Sequence, residues 1–185
     1  MIRASAEMID EQTPRRRITA FGSSRLGEDD PRFADVEALG RLLGNNGWDG
    51  LTGGHQGMMA AICRGIRAGG GHVRGITLER FPTPPDNHLS EEVRSRNFFE
   101  RMQILIEETD AYLILPGGLG TLAELAMSWD LQAIGVLEKR PLIVYGDSWT
   151  PLLEPLKESL IWSVDEAFGL LHHCRTPDEV LAALA

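Results

Sequence analysis

Residues 116–124, Pro-Gly-Gly-Leu-Gly-Thr-Leu-Ala-Glu, follow the unbroken apolar run Ala111-Tyr112-Leu113-Ile114-Leu115 and precede a long apolar helical pattern. The order is that of a buried strand, a glycine-rich turn and a helix start, with a carboxylate, Glu124, expected in the first helical turn. Three glycines let the backbone approach a ligand closely, and the free N–H groups of a helix start suit an anion such as phosphate. A carboxylate would repel that phosphate. Its place is therefore further along the ligand, at a sugar or a water.

Working outward, the same alternation recurs along the chain. Ile18–Phe21 reads as a strand running into Gly22-Ser23-Ser24-Arg25. A helix is expected over 32–46, and a short strand from Trp48 ends in Thr52-Gly53-Gly54-His55-Gln56-Gly57. A helix from Met58 stops at Gly69-Gly70-Gly71, and His72–Leu78 forms the third strand. Residues 79–92 carry Pro82, Pro84 and Pro85, which forbid a regular helix or central strand, so a long lid or binding loop is expected there. Helices over 93–108, 121–137 and from Thr150-Pro151 follow, with the strands 111–115 and 141–145 between them. Residues 161–171 read as a mixed connection, and a final helix starts at the capping box Thr176-Pro177-Asp178-Glu179.

Strands alternating with helices at this spacing predict an α/β protein of Rossmann-like type: one doubly wound parallel sheet with helices on both faces. Residues 18–185 are expected to form that single domain, preceded by a mobile segment over 1–17. Three strands end in small-residue turns (Gly22-Ser23-Ser24, Gly53-Gly54 and Gly117-Gly118), and in such a sheet those ends share one rim, where ligands bind.

Composition narrows the function. The chain has 185 residues and a formal net charge of −9, which disfavours nucleic acid or a membrane surface as partner. Cys63 and Cys174 have no metal-ligand or redox spacing, and neither His55 nor His172-His173 has a ligand-spaced partner, so no metal is expected. With no long apolar run and no leader pattern, the expected location is cytoplasmic. Gly118-Leu119-Gly120-Thr121-Leu122-Ala123 matches the loose dinucleotide pattern G-x-G-x-x-A. The ribose-binding acid that should accompany it is poorly supplied by Asp147, and no P-loop sequence exists.

Pro116–Glu124 resembles the PGGxGTxxE signature of the Lonely Guy family, the cytokinin riboside 5′-monophosphate phosphoribohydrolases, whose bacterial members were long labelled possible lysine decarboxylases. Phe98-Phe99-Glu100-Arg101 resembles the family's F-F-x-R-K element, with Met102 in place of the lysine. Gly53–Met59 and Phe21–Ser24 resemble two further family turns. The resemblance implies hydrolysis of the N-glycosidic bond of a nucleoside 5′-monophosphate (AMP or N6-modified AMP), giving free base and ribose 5-phosphate. It also implies no cofactor, a site completed at a homodimer interface, and a role in cytokinin biosynthesis or nucleotide salvage. By matched position, Arg101 and Glu124 carry over as the catalytic pair and Gly117, Gly118, Gly120 and Thr121 as the phosphate cradle. Ser23, Ser24, Gly53 and Gly54 are expected to contact substrate.

Alternatives remain at this level. Thr121-x-x-Glu124 is itself a capping box, and Arg101 could pair with Glu107 or Glu108 on a solvated face. The same superfamily includes non-catalytic carriers of nucleotide or molybdenum cofactor. An NAD-dependent enzyme is a third reading. Lysine decarboxylation is disfavoured, because the only lysines, Lys139 and Lys157, have no site-like setting. A helix apolar on more than one side, as over 121–137, points to burial against a second copy of the chain.

Overall fold

The computed structural model describes residues 15–85, 87–161 and 164–185. Among these residues, seven strands form one sheet: β1 (Arg16–Phe21), β2 (Trp48–Thr52), β3 (Val73–Leu78), β4 (Glu91–Ser95), β5 (Ala111–Ile114), β6 (Leu142–Tyr145) and β7 (Leu171–Cys174). Their order is β4-β3-β2-β1-β5-β6-β7, and every neighbouring pair is parallel. The chain winds one way from β1 to β4, then returns to add β5 to β7 on the other side. The switch point therefore lies between β1 and β5, where two of the small-residue turns meet.

Among the described residues, seven α-helices cover the sheet: α1 (Pro31–Asn45), α2 (Met58–Ala68), α3 (Phe98–Glu107), α4 (Leu119–Ala133), α5 (Thr150–Ser159), α6 (Val164–Phe168) and α7 (Pro177–Leu184). Side chains of α1, α2 and α7 pack against one face, with Ile18, Ala20, Leu113 and Ile143 of the strands. Those of α3, α4 and α5 pack against the other, with Phe21, Leu51, Tyr112, Ile114 and Val144. Successive strand residues thus serve opposite cores, which is why the central strands read as continuous apolar runs. The expected doubly wound architecture is the observed one.

Two strands escape the pattern. Residues 91–95 form the edge strand β4, where a loop and a helix from 93 were expected; α3 begins only at Phe98, with the Asn97 side chain accepting from Glu100 N. In Glu-Glu-Val-Arg-Ser a single apolar residue marks the buried side, so no periodicity betrays the strand. β7, at the opposite edge, is Leu-His-His-Cys and is concealed in the same way. β1 takes in Arg16 and Arg17, assigned by sequence to the segment before it: Arg16 lies over the Trp48 ring and Arg17 pairs with Glu108. The remainder of that segment, residues 1–14, lies outside the described residues. α7 opens on the expected capping box, Thr176 with Glu179.

Candidate active site

The rim of the switch point is stitched together by backbone bonds. Ser23 N donates to Pro116 O (3.0 Å), tying the turn after β1 to the glycine loop after β5. Met58 N donates to Ser23 O (2.8 Å), tying the same turn to the start of α2. Gly57, with φ of 68°, makes that second approach, and a Cβ there would strike Ser23 and Ser24.

Above this frame lies a cavity of about 410 Å³ lined by Gly22, Ser23, Ser24, Arg25, Met59, Arg101, Gly118, Leu119, Gly120, Thr121 and Glu124. A second chamber of about 200 Å³ adjoins it and shares Ser24, Met59 and Arg101; its own walls include Gly53, Gly54, His55, Thr77, Phe81 and Thr83. Nine of the ten residues expected from sequence therefore face one two-chambered cleft. The tenth, Gly117, does not line it. A side chain at Gly117 would overlap that of Thr121, so this glycine lets the loop close onto the helix.

α4 starts at Leu119 with Gly118 as its cap, and no side chain caps it. The N–H groups of its first turn have no acceptor within the helix and open toward the larger chamber. A Cβ at Gly118 or Gly120 would meet nothing within 4 Å, so both positions offer bare backbone to a ligand. This early start corrects two expectations. Glu124 stands in the second helical turn, and Thr121 with Glu124 does not form the capping box, because the cap lies three residues before Thr121.

Glu124 instead faces Arg101. Their side chains are each 13% exposed, with Nη1 and Oε1 3.8 Å apart. That spacing allows attraction but not a close hydrogen bond, which leaves the carboxylate's lone pairs available. Arg101 is anchored by Nε donating to Ile76 O (2.8 Å), and its guanidinium occupies the space a side chain at Gly53 would fill. Gly53 is thus the residue that admits the arginine. Burial pushes the Glu124 carboxyl up to about 7, opposed by Arg101; burial likewise lowers Arg101, opposed by Glu124. Desolvation outweighs the mutual attraction at both partners. The result is a carboxyl able to exchange a proton near neutrality, beside a fixed cation, at the junction of the two chambers.

Met102 points away from this pair into the core beneath the sheet, 2% exposed. Met59, at the start of α2, lines both chambers. The sequence did not single out the wall residues Thr77, Phe81 and Thr83. Their only signal was the proline-rich interruption after the third strand. His55 lies on the smaller chamber, and its Nδ1 is buried without a hydrogen-bond partner among the described residues. Among those residues no three His, Cys, Asp or Glu side chains gather as a metal set, and no helix is long and apolar enough to cross a membrane.

Fold and cleft define the class: an open parallel α/β protein that presents a helix start, an arginine and a carboxyl to a ligand at the switch point. The family described as "Possible lysine decarboxylase" matches residues 59–184, and the chain belongs to that family, the Lonely Guy family of the sequence resemblance. Among curated relatives, the cytokinin riboside 5′-monophosphate phosphoribohydrolase of Mycobacterium tuberculosis is 32% identical over 114 residues, 60% of each chain. A probable enzyme of the same name from Oryza sativa subsp. japonica is 34% identical over 113 residues, 60% of this chain and 46% of the rice protein. The matched stretch thus spans about half to three-fifths of these relatives' length. The molybdenum cofactor carrier protein of Chlamydomonas reinhardtii shares the fold, with a TM-score of 0.68, 20% identity, and coverage of 91% of this chain and 95% of that one. The family's descriptive name finds no counterpart in the cleft: Lys139 and Lys157 are exposed and line neither chamber.

Proposed function

We propose that the protein hydrolyses the N-glycosidic bond of a nucleoside 5′-monophosphate, AMP or an N6-modified AMP, to free base and ribose 5-phosphate. The observation that carries this reading is the buried Arg101–Glu124 pair at the junction between an anion-accepting helix start and a second, smaller chamber. A 5′-phosphate seated on the amides of residues 118–121, beside Ser23 and Ser24, leaves the ribose at Glu124 and directs the base past Arg101 toward Gly53, Gly54 and His55. The names of the curated relatives support the same chemistry, and for the mycobacterial and rice proteins it includes the cytokinin ribosides.

Glycosidic cleavage develops positive charge at the anomeric carbon. An ionised Glu124 in a site shielded from water stabilises that charge, holds the ribose hydroxyls, or takes a proton from the attacking water. Arg101 stabilises the departing base or the phosphate. The phosphate anchor uses binding energy remote from the reacting bond to orient it. No step calls for a cofactor.

The proposed assembly is a homodimer. α4 buries two of its polar residues, Ser128 donating to Glu124 O and Gln132 donating to Ser128 O, while Asp130 stays exposed. Its outer side joins α5 in an apolar groove of about 590 Å³ that includes Leu122, Ala126, Trp129, Ile134, Leu156 and Leu160. Ile134 is 63% exposed, and a second copy of the chain would cover it.

Incubation with a panel of nucleoside monophosphates, read by chromatography of the free base, tests the activity. Glu124→Gln and Arg101→Ala are expected to remove base release by about 10³-fold or more while the fold survives. Tight nucleotide or pterin binding with no base released from any monophosphate would replace the hydrolase reading with that of a carrier.

A further inference from the structure

The wall of the smaller chamber is not held by packing alone. Residues 78–83 lead off the end of β3, and one arginine from β4 gathers them. Arg94 Nη2 donates to three backbone carbonyls, Leu78 O (3.3 Å), Glu79 O (3.3 Å) and Phe81 O (3.1 Å). Its Nη1 donates to Thr83 Oγ1 (3.0 Å) and Glu92 Oε1 (3.1 Å). The same carboxylate oxygen of Glu92 accepts from Thr77 Oγ1 (2.5 Å) and from Thr83 Oγ1. Thr77, Leu78, Phe81 and Thr83 all line the chamber, whereas Arg94 and Glu92 do not. Two residues outside the cleft thus fix four of the residues that shape it.

We propose that Arg94 and Glu92 are positioning residues that set the selectivity of the base chamber by clasping residues 78–83 into its wall. The proposal rests on the nucleotide reading of the cleft and adds to it the device that decides which base is accepted. Three features support it. A planar guanidinium satisfies a fan of carbonyls that a lysine's point charge could not. The hydrogen bonds from Thr77 and Thr83 hold the Glu92 carboxyl below its usual range, so the acceptor stays ionised at neutral pH. His55, whose Nδ1 is buried without a partner among the described residues, also lines the chamber. Because the clasped residues Thr77, Leu78, Phe81 and Thr83 line the smaller chamber and not the larger, its loss should be felt by the base and not by the sugar phosphate.

Calorimetric titration of wild-type protein and Arg94→Ala with AMP and with ribose 5-phosphate, alongside base-release kinetics, tests this. Arg94→Ala is expected to weaken AMP about tenfold, as a rise in KM with kcat within about threefold, while ribose 5-phosphate stays within about twofold. Thr83→Val, which keeps the arginine but removes both ties at Thr83, to Arg94 and to Glu92, should weaken AMP in the same direction by about threefold. Equal losses for both ligands, or unchanged AMP binding, would overturn the clasp. Wild-type protein that binds both ligands without releasing base would overturn the hydrolase reading alone, and the binding comparison would still judge the clasp. Wild-type protein that binds neither would overturn both.

Discussion

Two arginine–carboxylate pairs border the same cleft and are built to opposite rules. Arg101 and Glu124 are buried, 3.8 Å apart, with the carboxyl pushed up to about 7. Arg94 and Glu92 lie nearer the surface at 3.1 Å, with the Glu92 carboxyl held down by several donors. The first pair pays for its burial with an unsettled proton; the second is tied to the wall through Glu92 Oε1 and through both terminal nitrogens of Arg94. A buried pair without close partners can act on a ligand, whereas a pair bonded into a loop holds that loop in place.

The largest separation between the pairs is expected in turnover. Glu124→Gln should cost about 10³-fold in kcat/KM and Glu92→Gln no more than about tenfold, read from free-base release. If Glu124 must be ionised to act, kcat/KM of the wild type should also fall as pH drops through about 7. Comparable losses in the two variants would erase the distinction.

The pairs should next differ in how they couple to folding. Glu124 holds its proton more tightly in the folded protein than in the unfolded chain. Its contribution is therefore fully present below the ordinary carboxyl range near 4.5 and is lost as pH rises through about 7. Relative to Glu124→Gln, the wild type should lose on the order of 3 kcal/mol between pH 4 and pH 8, measured by denaturant unfolding. Glu92 has the reverse sign: its contribution is present above the usual carboxyl range and disappears as pH falls through its lowered value.

Smaller effects sharpen the contrast between glycines that make room and glycines that leave room. Gly53→Ala places a methyl group in the space of the Arg101 guanidinium and should cost about 10²-fold in activity by displacing that group. Gly120→Ala meets no neighbour. It should raise stability by about 0.5–1 kcal/mol as a helical substitution. The same change should weaken ribose 5-phosphate about tenfold by standing where the phosphate approaches.

The fold was legible because its central strands are apolar on both faces and their turns are rich in glycine. The edges were not. β4 and β7 carry too few apolar residues to show a period, and β4 supplies the clasp, so the device that shapes the chamber was hidden along with its strand. At the site, residue types and spacings pointed to Arg101 and Glu124, but not to the helix register that sets Glu124 a turn deeper and rules out its capping role. Met102 stands where the family has a lysine, and sequence alone cannot show which way its side chain faces. The structure turns it into the core.

Ser23 spends both its amide and its carbonyl on neighbouring segments, and its hydroxyl accepts from Arg25 N. It works as a rivet joining the turns after β1 and β5 to the start of α2, so the cradle's outline is secured by main chain and by one short side chain. Neighbouring side chains such as those of Ser24 and Arg25 can then be exchanged without disturbing the frame. A lineage could retune which anion it greets by changing these two positions, while Arg101 and Glu124 stay where they are.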